Sequence, residues 1–261
     1  YINNPKHLTG EFNAHLEGKI VLFADEAFYA GDKSHIGVLK ALLTDPTFTI
    51  RRLYKDAVQR KNMLHVVMAT NEGWAVPAEN DDRRFAVIGV SQDRRGDRAY
   101  FRELARAVQD PKVQAAFLEE LLTRDLSDFD VRNIPSTQAR TEQQIHSLKG
   151  VKAWLHDRLS EGELIVCDFD KVGKEQADLW PRWVATQALY EDFGYWERRH
   201  QYRQETYHVS LTEFGKVLSS IYRKQRETTG KRRHGYVLGS LDEARRRFCE
   251  KTGLNPEWEE A

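Results

Sequence analysis

The chain has 261 residues, 40% of them apolar, and its 40 basic and 40 acidic residues balance to a formal charge of zero. That is enough apolar surface for one large or two modest buried cores, and two domains are expected. The balance excludes a global field that would draw the chain to nucleic acid, so any basic surface must be local.

Cys167 and Cys249 stand far apart without metal spacing, which fits a reducing compartment and gives neither a role. No apolar run approaches the roughly 20 residues that span a bilayer, and no charged-then-apolar leader opens the chain, so a soluble, cytoplasmic protein is expected. The opening segment, YINNPKHLTGEFNAHL, starts on Tyr1 and has the character of a domain interior. The expectation is a fragment whose N-terminal portion lies elsewhere. LTGEFNAHLEG then reads as a short helix or turn entering a sheet.

Gly18 to Glu26, GKIVLFADE, is a continuous apolar run that ends in adjacent acids. Such a run suits a strand buried on both faces, as in a parallel sheet. Two carboxylates at its end match the Walker B pattern of P-loop nucleoside triphosphatases, in which the first acid holds Mg²⁺ and the second polarises water. A solvated turn after an ordinary strand is the simpler alternative.

Val38, Leu39, Leu42 and Leu43 recur at helical spacing and predict a helix from about Ser34 to Leu43. FTIRRLYK and MLHVVMATN read as the two strands of a β-hairpin with the polar DAVQRKN as its basic tip. Arg51, Arg52, Lys55, Arg60 and Lys61 cluster there, either to contact phosphates or to guard a strand edge against aggregation. The strand His65 to Thr70 ends on Asn71, and DDRRFAVIGV supplies an arginine pair and a further apolar strand. In open α/β sheets ligands bind beyond the carboxyl ends of strands, so Asp25, Glu26 and Asn71 are expected to converge on one crevice. Taken singly, Asn71 fits a turn and the arginines fit surface salt bridges.

This ordered set, an apolar strand ending in Asp-Glu, LKALLT, a basic hairpin, an apolar strand ending in ATN, and DDRRFAVI, resembles the superfamily-three helicases of viruses and plasmids. Within them it is most similar to the phage primase-helicase branch, the helicase domain behind the primase-polymerase of NrS-type phage polymerases, which is related to poxvirus primase-helicases. The resemblance spans nearly the whole chain. It implies that Asp25 and Glu26 are the Walker B acids, with Asp25 holding Mg²⁺ through water. It also implies that Asn71 is the sensor amide and Arg84 the arginine finger, with Arg83 as second choice. The hairpin would grip single-stranded DNA in a ring pore through Lys55, Arg60 and Lys61. ATP and Mg²⁺ are the implied cofactors. The implied partners are DNA, five further copies in a homo-hexamer, and an upstream primase-polymerase domain, all in the cytoplasm of a bacterial host. One motif departs from the pattern: no GxxxxGK[ST] phosphate loop occurs in the 261 residues. By itself the chain is therefore expected neither to bind nor to hydrolyse ATP well.

In the second half, residues 98–125 carry two amphipathic helices broken at Asp110-Pro111, expected to form a lid beside the sheet. TQARTEQQIHSLKGVKAWLHDRL predicts one long helix with Ile145, Leu148, Val151 and Leu155 as its buried stripe. A helix around Arg182 to Arg199 comes next. SLTEFGKVLSSIYRK then predicts a capped helix, with Ser210 and Glu213 as a capping box and Phe214, Val217, Leu218 and Ile221 as its buried face. KRRHGYVLGSL reads as strand and wing, and LDEARRRFCEKTG as a closing helix. Lys216, Arg223, Lys224, Lys231, Arg232 and Arg233 make this module locally basic and are the candidate phosphate contacts; winged modules also serve protein contacts.

The expected fold is α/β. Residues 1–96 form the C-terminal portion of a P-loop, AAA+-like ATPase domain, 97–160 a helical lid and connector, and 161–261 an α+β winged-helix-like domain. A non-enzymatic DNA-binding or initiator module on a degenerate ATPase fold is the alternative, and an ATPase adaptor acting on protein partners is a third. No HExxH, CxxC or GxSxG motif occurs, so neither zinc nor a serine nucleophile is expected.

Overall fold

The computed structural model describes residues 1, 2, 4, 7, 10–26, 33–71, 73–76, 78, 82–164, 180–200, 209–227 and 232–258. The apolar run becomes β1 (Val21–Asp25), which pairs in parallel with β4 (His65–Ala69), Val21 opposite His65 and Asp25 opposite Ala69. On its other edge β1 is bridged by Ile2, whose N–H donates to the Phe23 carbonyl at 2.8 Å. Leu22 and Ala24 point into a core with Leu16, Leu39 and Leu42, the last two from helix α1 (Lys33–Thr44). Burial is one-sided, however. Val21 is 64% and Phe23 38% exposed, because no described element covers the second face, so the expectation of a strand buried on both sides is corrected.

The hairpin also differs from expectation. β2 (Thr47–Arg52) pairs antiparallel with β3 (Lys55–Lys61), so the stretch read as a basic tip is itself a strand. Ile50 opposite Val58 supplies the apolar pairing that draws it in. The real tip is Leu53-Tyr54, and β4 leaves the hairpin to join β1. The expected strand over FAVIGV does not form either: residues 85–90 have no ladder, Phe85 is buried, and the Thr137 hydroxyl donates to the Val87 carbonyl at 2.5 Å.

Helices α2 (Arg98–Gln109) and α3 (Pro111–Thr123) break at Asp110-Pro111, where Asp110 caps α3 through the Lys112 N–H. They pack on each other, but neither has a buried residue, so they do not form the expected lid against the sheet. The predicted long helix is two, α4 (Gln138–His146) and α5 (Gly150–Glu161). The Ser147 N–H and Oγ both turn back to the Gln143 carbonyl, ending α4, and Gly150 takes φ +54° as α5 begins.

α5 lies before the boundary expected at residue 160, yet it packs with the elements after that boundary. Val151, Trp154, Leu155 and Leu159 share a core with Phe193, Phe214 and others. That core also takes in β5 (Trp183–Ala185), α6 (Thr186–His200), α7 (Leu211–Ile221), β6 (Arg223–Arg226), β7 (His234–Val237) and α8 (Leu241–Thr252). The residues predicted as the start of a helix at Arg182 are thus strand β5. The sheet order is β5-β7-β6, all antiparallel. Gly235 allows the close pairing: a Cβ there would lie 2.3 Å from the Val184 carbonyl and 2.5 Å from the Trp183 ring.

Both capping boxes fold as such, Ser210 with Glu213 and Ser240 with Glu243. In α7, Phe214, Leu218 and Ile221 are buried. A buried polar group crosses this core: Asp192 accepts from the Trp154 indole at 2.7 Å and from Arg158 Nε at 2.8 Å. Burial works against the Arg158 charge, but Asp192 and Glu161 outweigh it and raise its pKa further.

Candidate functional site

The parallel pairing of β1 with β4 brings their carboxyl ends together. Directly past β1 the chain turns at Glu26, which has φ +50°, and its N–H donates to the Ala69 carbonyl at 2.9 Å. That conformation is costly for a residue with a Cβ, and it carries the carboxylate across to the end of β4. There Asn71 Nδ2 donates to Glu26 Oε1 at 2.9 Å. Asp25, one residue earlier, faces Tyr1, whose hydroxyl donates to Oδ2 at 2.8 Å while its ring stacks on Phe23. That hydrogen bond, with the Asp25 and Glu26 charges, raises the Tyr1 pKa. Asp25, Glu26 and Asn71 therefore share one crevice.

Arg84 is held differently. Its guanidinium donates to Asp82 Oδ2 at 3.1 Å, its N–H to Asp82 Oδ1 at 2.8 Å, and Lys40 approaches Oδ2 at 4.0 Å. The Asp82 side chain is only 3% exposed, so this pair fixes the backbone at Arg84. Arg83 is exposed.

Two further supports come from α4. The buried Gln143 accepts from the N–H groups of Ala75 and Val76 at 2.7 and 3.2 Å and donates to the Gly73 carbonyl at 2.7 Å, clamping the loop after Asn71. One turn earlier Arg140 donates to the Asp82 carbonyl at 2.7 Å. The sequence signal for both is faint: only a glutamine and an arginine at i and i+3 on a helix otherwise read as part of a connector.

The hairpin residues are separated. Lys55 sits opposite Arg52 beside the tip, whereas Arg60 and Lys61 lie at the base, opposite Phe48 and Thr47. Arg60 Nε donates to Glu17 at 2.7 Å and Arg52 pairs with the same carboxylate; the Arg60 hydrogen bond leads in holding Glu17 below the usual range. At the tip stands Tyr54, 97% exposed with φ +58°.

In the second core, Lys216 from α7 and Lys224 from β6 line one groove. Arg223 is exposed one register position away. Arg233 is tied to Glu227 at 3.3 Å, and the Arg232 carbonyl accepts from Arg226 Nε at 3.1 Å. Lys231 and Cys167 lie outside the described residues. Among the described residues no group of three or more His, Cys, Asp and Glu is arranged to hold a metal, and no helix is long and apolar enough to cross a membrane.

The fold is mixed α/β, and it resembles solved structures of the C-terminal region of phage NrS-1. An apo structure of that region is 15% identical at a TM-score of 0.54, covering 92% of this chain and 60% of that one. A second, the A form, is 14% identical at a TM-score of 0.53, covering 90% and 59%. Residues 1–84 match the model of a family of unknown function, DUF5906. Over 85 residues the chain is 34% identical to the DNA primase-polymerase of Nitratiruptor phage NrS-1, a homology that takes in 31% of this chain and 12% of that protein.

Proposed function

We propose that this chain is part of a phage-type replicative DNA helicase, in which ATP hydrolysis is coupled to movement on DNA. The observation that carries the reading is the hydrogen bond from Asn71 to Glu26 over the carboxyl ends of two parallel strands, with Asp25 beside it. In phosphoryl transfer the protein works mostly by positioning and electrostatics, so a carboxylate and an amide aimed at one point are the parts required. Glu26 orients and accepts a proton from an attacking water, Asn71 holds that carboxylate in place, and Arg84 or Arg83 offers charge to a site in a neighbouring copy. The homology to a primase-polymerase over the first third supports a role in DNA replication.

The residues fit Mg²⁺ in one sense: Asp25 is a hard oxygen donor at a strand end, and Mg²⁺ is commonly held by one or two carboxylates, water and substrate phosphates. When bound, the ion would screen phosphate charge. They do not fit ATP unaided, because these 261 residues contain no Gly-rich phosphate cradle. The cradle would have to come from further residues of the parent protein.

The order α5, β5, α6, α7, β6, β7 with sheet order β5-β7-β6 supports a winged-helix reading of the second core. The test is DNA-stimulated ATPase of the parent protein with Glu26→Gln. A loss of about 10²-fold or more is expected for removal of a general base, and full activity would overturn the role given to Glu26.

A second reading, a non-enzymatic DNA-binding module on a degenerate ATPase fold, is favoured by the missing cradle. It predicts that the parent protein has no phosphate loop and no ATPase activity.

A further inference from the structure

The groove beside α7 has a volume of about 770 Å³, and Lys216, Lys224 and His234 line it together with Thr186 and Ser220. No acidic side chain lines it. The nearest acid on α7, Glu213, is turned to the Ser210 cap. The floor is rigid: the buried Tyr236 hydroxyl donates to the Gly215 carbonyl at 3.0 Å and lies 3.1 Å from Ser219 Oγ. Gly215, with no side chain, opens the middle of the groove. At one wall the Thr186 Oγ1 is shielded from solvent and has no hydrogen-bond partner among the described residues. Cations, small hydroxyl residues and an unsatisfied hydroxyl together suit a phosphate oxygen.

We propose that this groove holds a backbone phosphate of duplex DNA, gripped by Lys216, Lys224 and His234, with α7 laid against the duplex. The inference rests on the DNA-acting reading above and adds to it a site, a ligand form and two residues, Thr186 and His234, that were not among the expected contacts. Duplex rather than single-stranded DNA follows from the lining. Single strands are held by stacking bases on aromatic rings, and no Phe, Tyr or Trp lines the groove. The exposed face of α7 (Thr212, Lys216, Ser219, Ser220) is short and polar, and a helix fits the major groove of B-DNA.

The test measures binding of a short labelled duplex, and of one of its strands alone, to the full chain across a salt series without nucleotide. Lys216→Ala with Lys224→Ala should weaken duplex binding about tenfold or more and reduce the log–log salt slope by about 1.8, the loss of two phosphate contacts. Ser220→Glu, which adds a repelling charge without removing a buried group, should weaken it likewise. Arg246→Ala, on α8 and paired with Glu250, should change neither quantity.

An unchanged slope and affinity in the double-lysine variant would overturn the proposal, as would equal losses on the single strand. Displacement of the duplex by inorganic phosphate at matched ionic strength would also overturn it, because the groove would then be a site for free anions. This measurement uses no nucleotide, whereas the Glu26→Gln assay reads only the acids, so either reading can fail without the other.

Discussion

Asn71 and Glu26 stand 45 residues apart and meet at 2.9 Å, Nδ2 to Oε1, on the exposed lip of the two-stranded parallel sheet. An exposed polar pair of this kind contributes little to stability, about 1 kcal/mol or less. Asn71→Leu should therefore leave the urea midpoint nearly unmoved. In the parent protein it should lower ATPase turnover by about 10²-fold, since the carboxylate loses the group that aims it. A large stability loss with turnover intact would make the contact structural.

Tyr54 couples strain to exposure. A non-glycine residue at φ +58° on a hairpin tip costs on the order of 1 kcal/mol in its backbone, and its 97% exposure returns nothing through burial. Tyr54→Gly should raise stability by a few tenths to about 1 kcal/mol in urea unfolding. If the hairpin grips single-stranded DNA, the same change should weaken that binding by removing a ring on which a base can stack, worth about 1–3 kcal/mol. A variant that is more stable but binds less tightly would mark Tyr54 as kept for its contact. Equal binding would remove Tyr54 from the interface.

Features set by local chemistry were legible in the sequence, and those set by pairing were not. GKIVLFADE announces a strand ending in two acids, and Ser210 with Glu213 announces a helix start, because each signal lies within a few residues. DAVQRK reads as a polar loop, and only its pairing with TFTIRR turns it into β3. FAVIGV has the composition of a strand but finds no ladder partner among the described residues, and without one β-propensity has no consequence. The apolar periodicity of α2 and α3 correctly marks helices, but periodicity says nothing about what covers the face, and here Phe117 and Leu122 are 65% and 76% exposed. In the crevice, Asp25, Glu26 and Asn71 could be placed together from strand ends alone. The clamp from Gln143 crosses about 70 residues and left no local trace.

That clamp is open to test. Gln143 is 6% exposed and satisfies two backbone donors and one acceptor in the loop after Asn71. Gln143→Leu keeps the volume roughly constant but strands those groups, at a cost of about 1–3 kcal/mol. Hydrogen exchange should read the loss first at the amides of Ala75 and Val76, before any change in the second core. Protection unchanged at both amides would show that the loop holds itself.

The second core should report on acid through Asp157. Partial burial works to raise its pKa, but hydrogen bonds from His156 and from the Trp196 indole, the latter at 2.8 Å, together with the charges of His156 and His200, outweigh burial and hold it below the ordinary 3.8. A carboxyl whose folded-state pKa is depressed stabilises the fold fully above its unfolded value, and the contribution is lost as pH falls through the folded one. The window therefore lies below about pH 3.8. Because the side chain is 39% exposed, solvent screens the effect, and it should amount to less than about 1 kcal/mol. Urea unfolding of Asp157→Asn should show a slightly less stable protein above that window and a shallower loss within it. Parallel pH curves for variant and parent would mean that Asp157 titrates alike in the folded and unfolded chain.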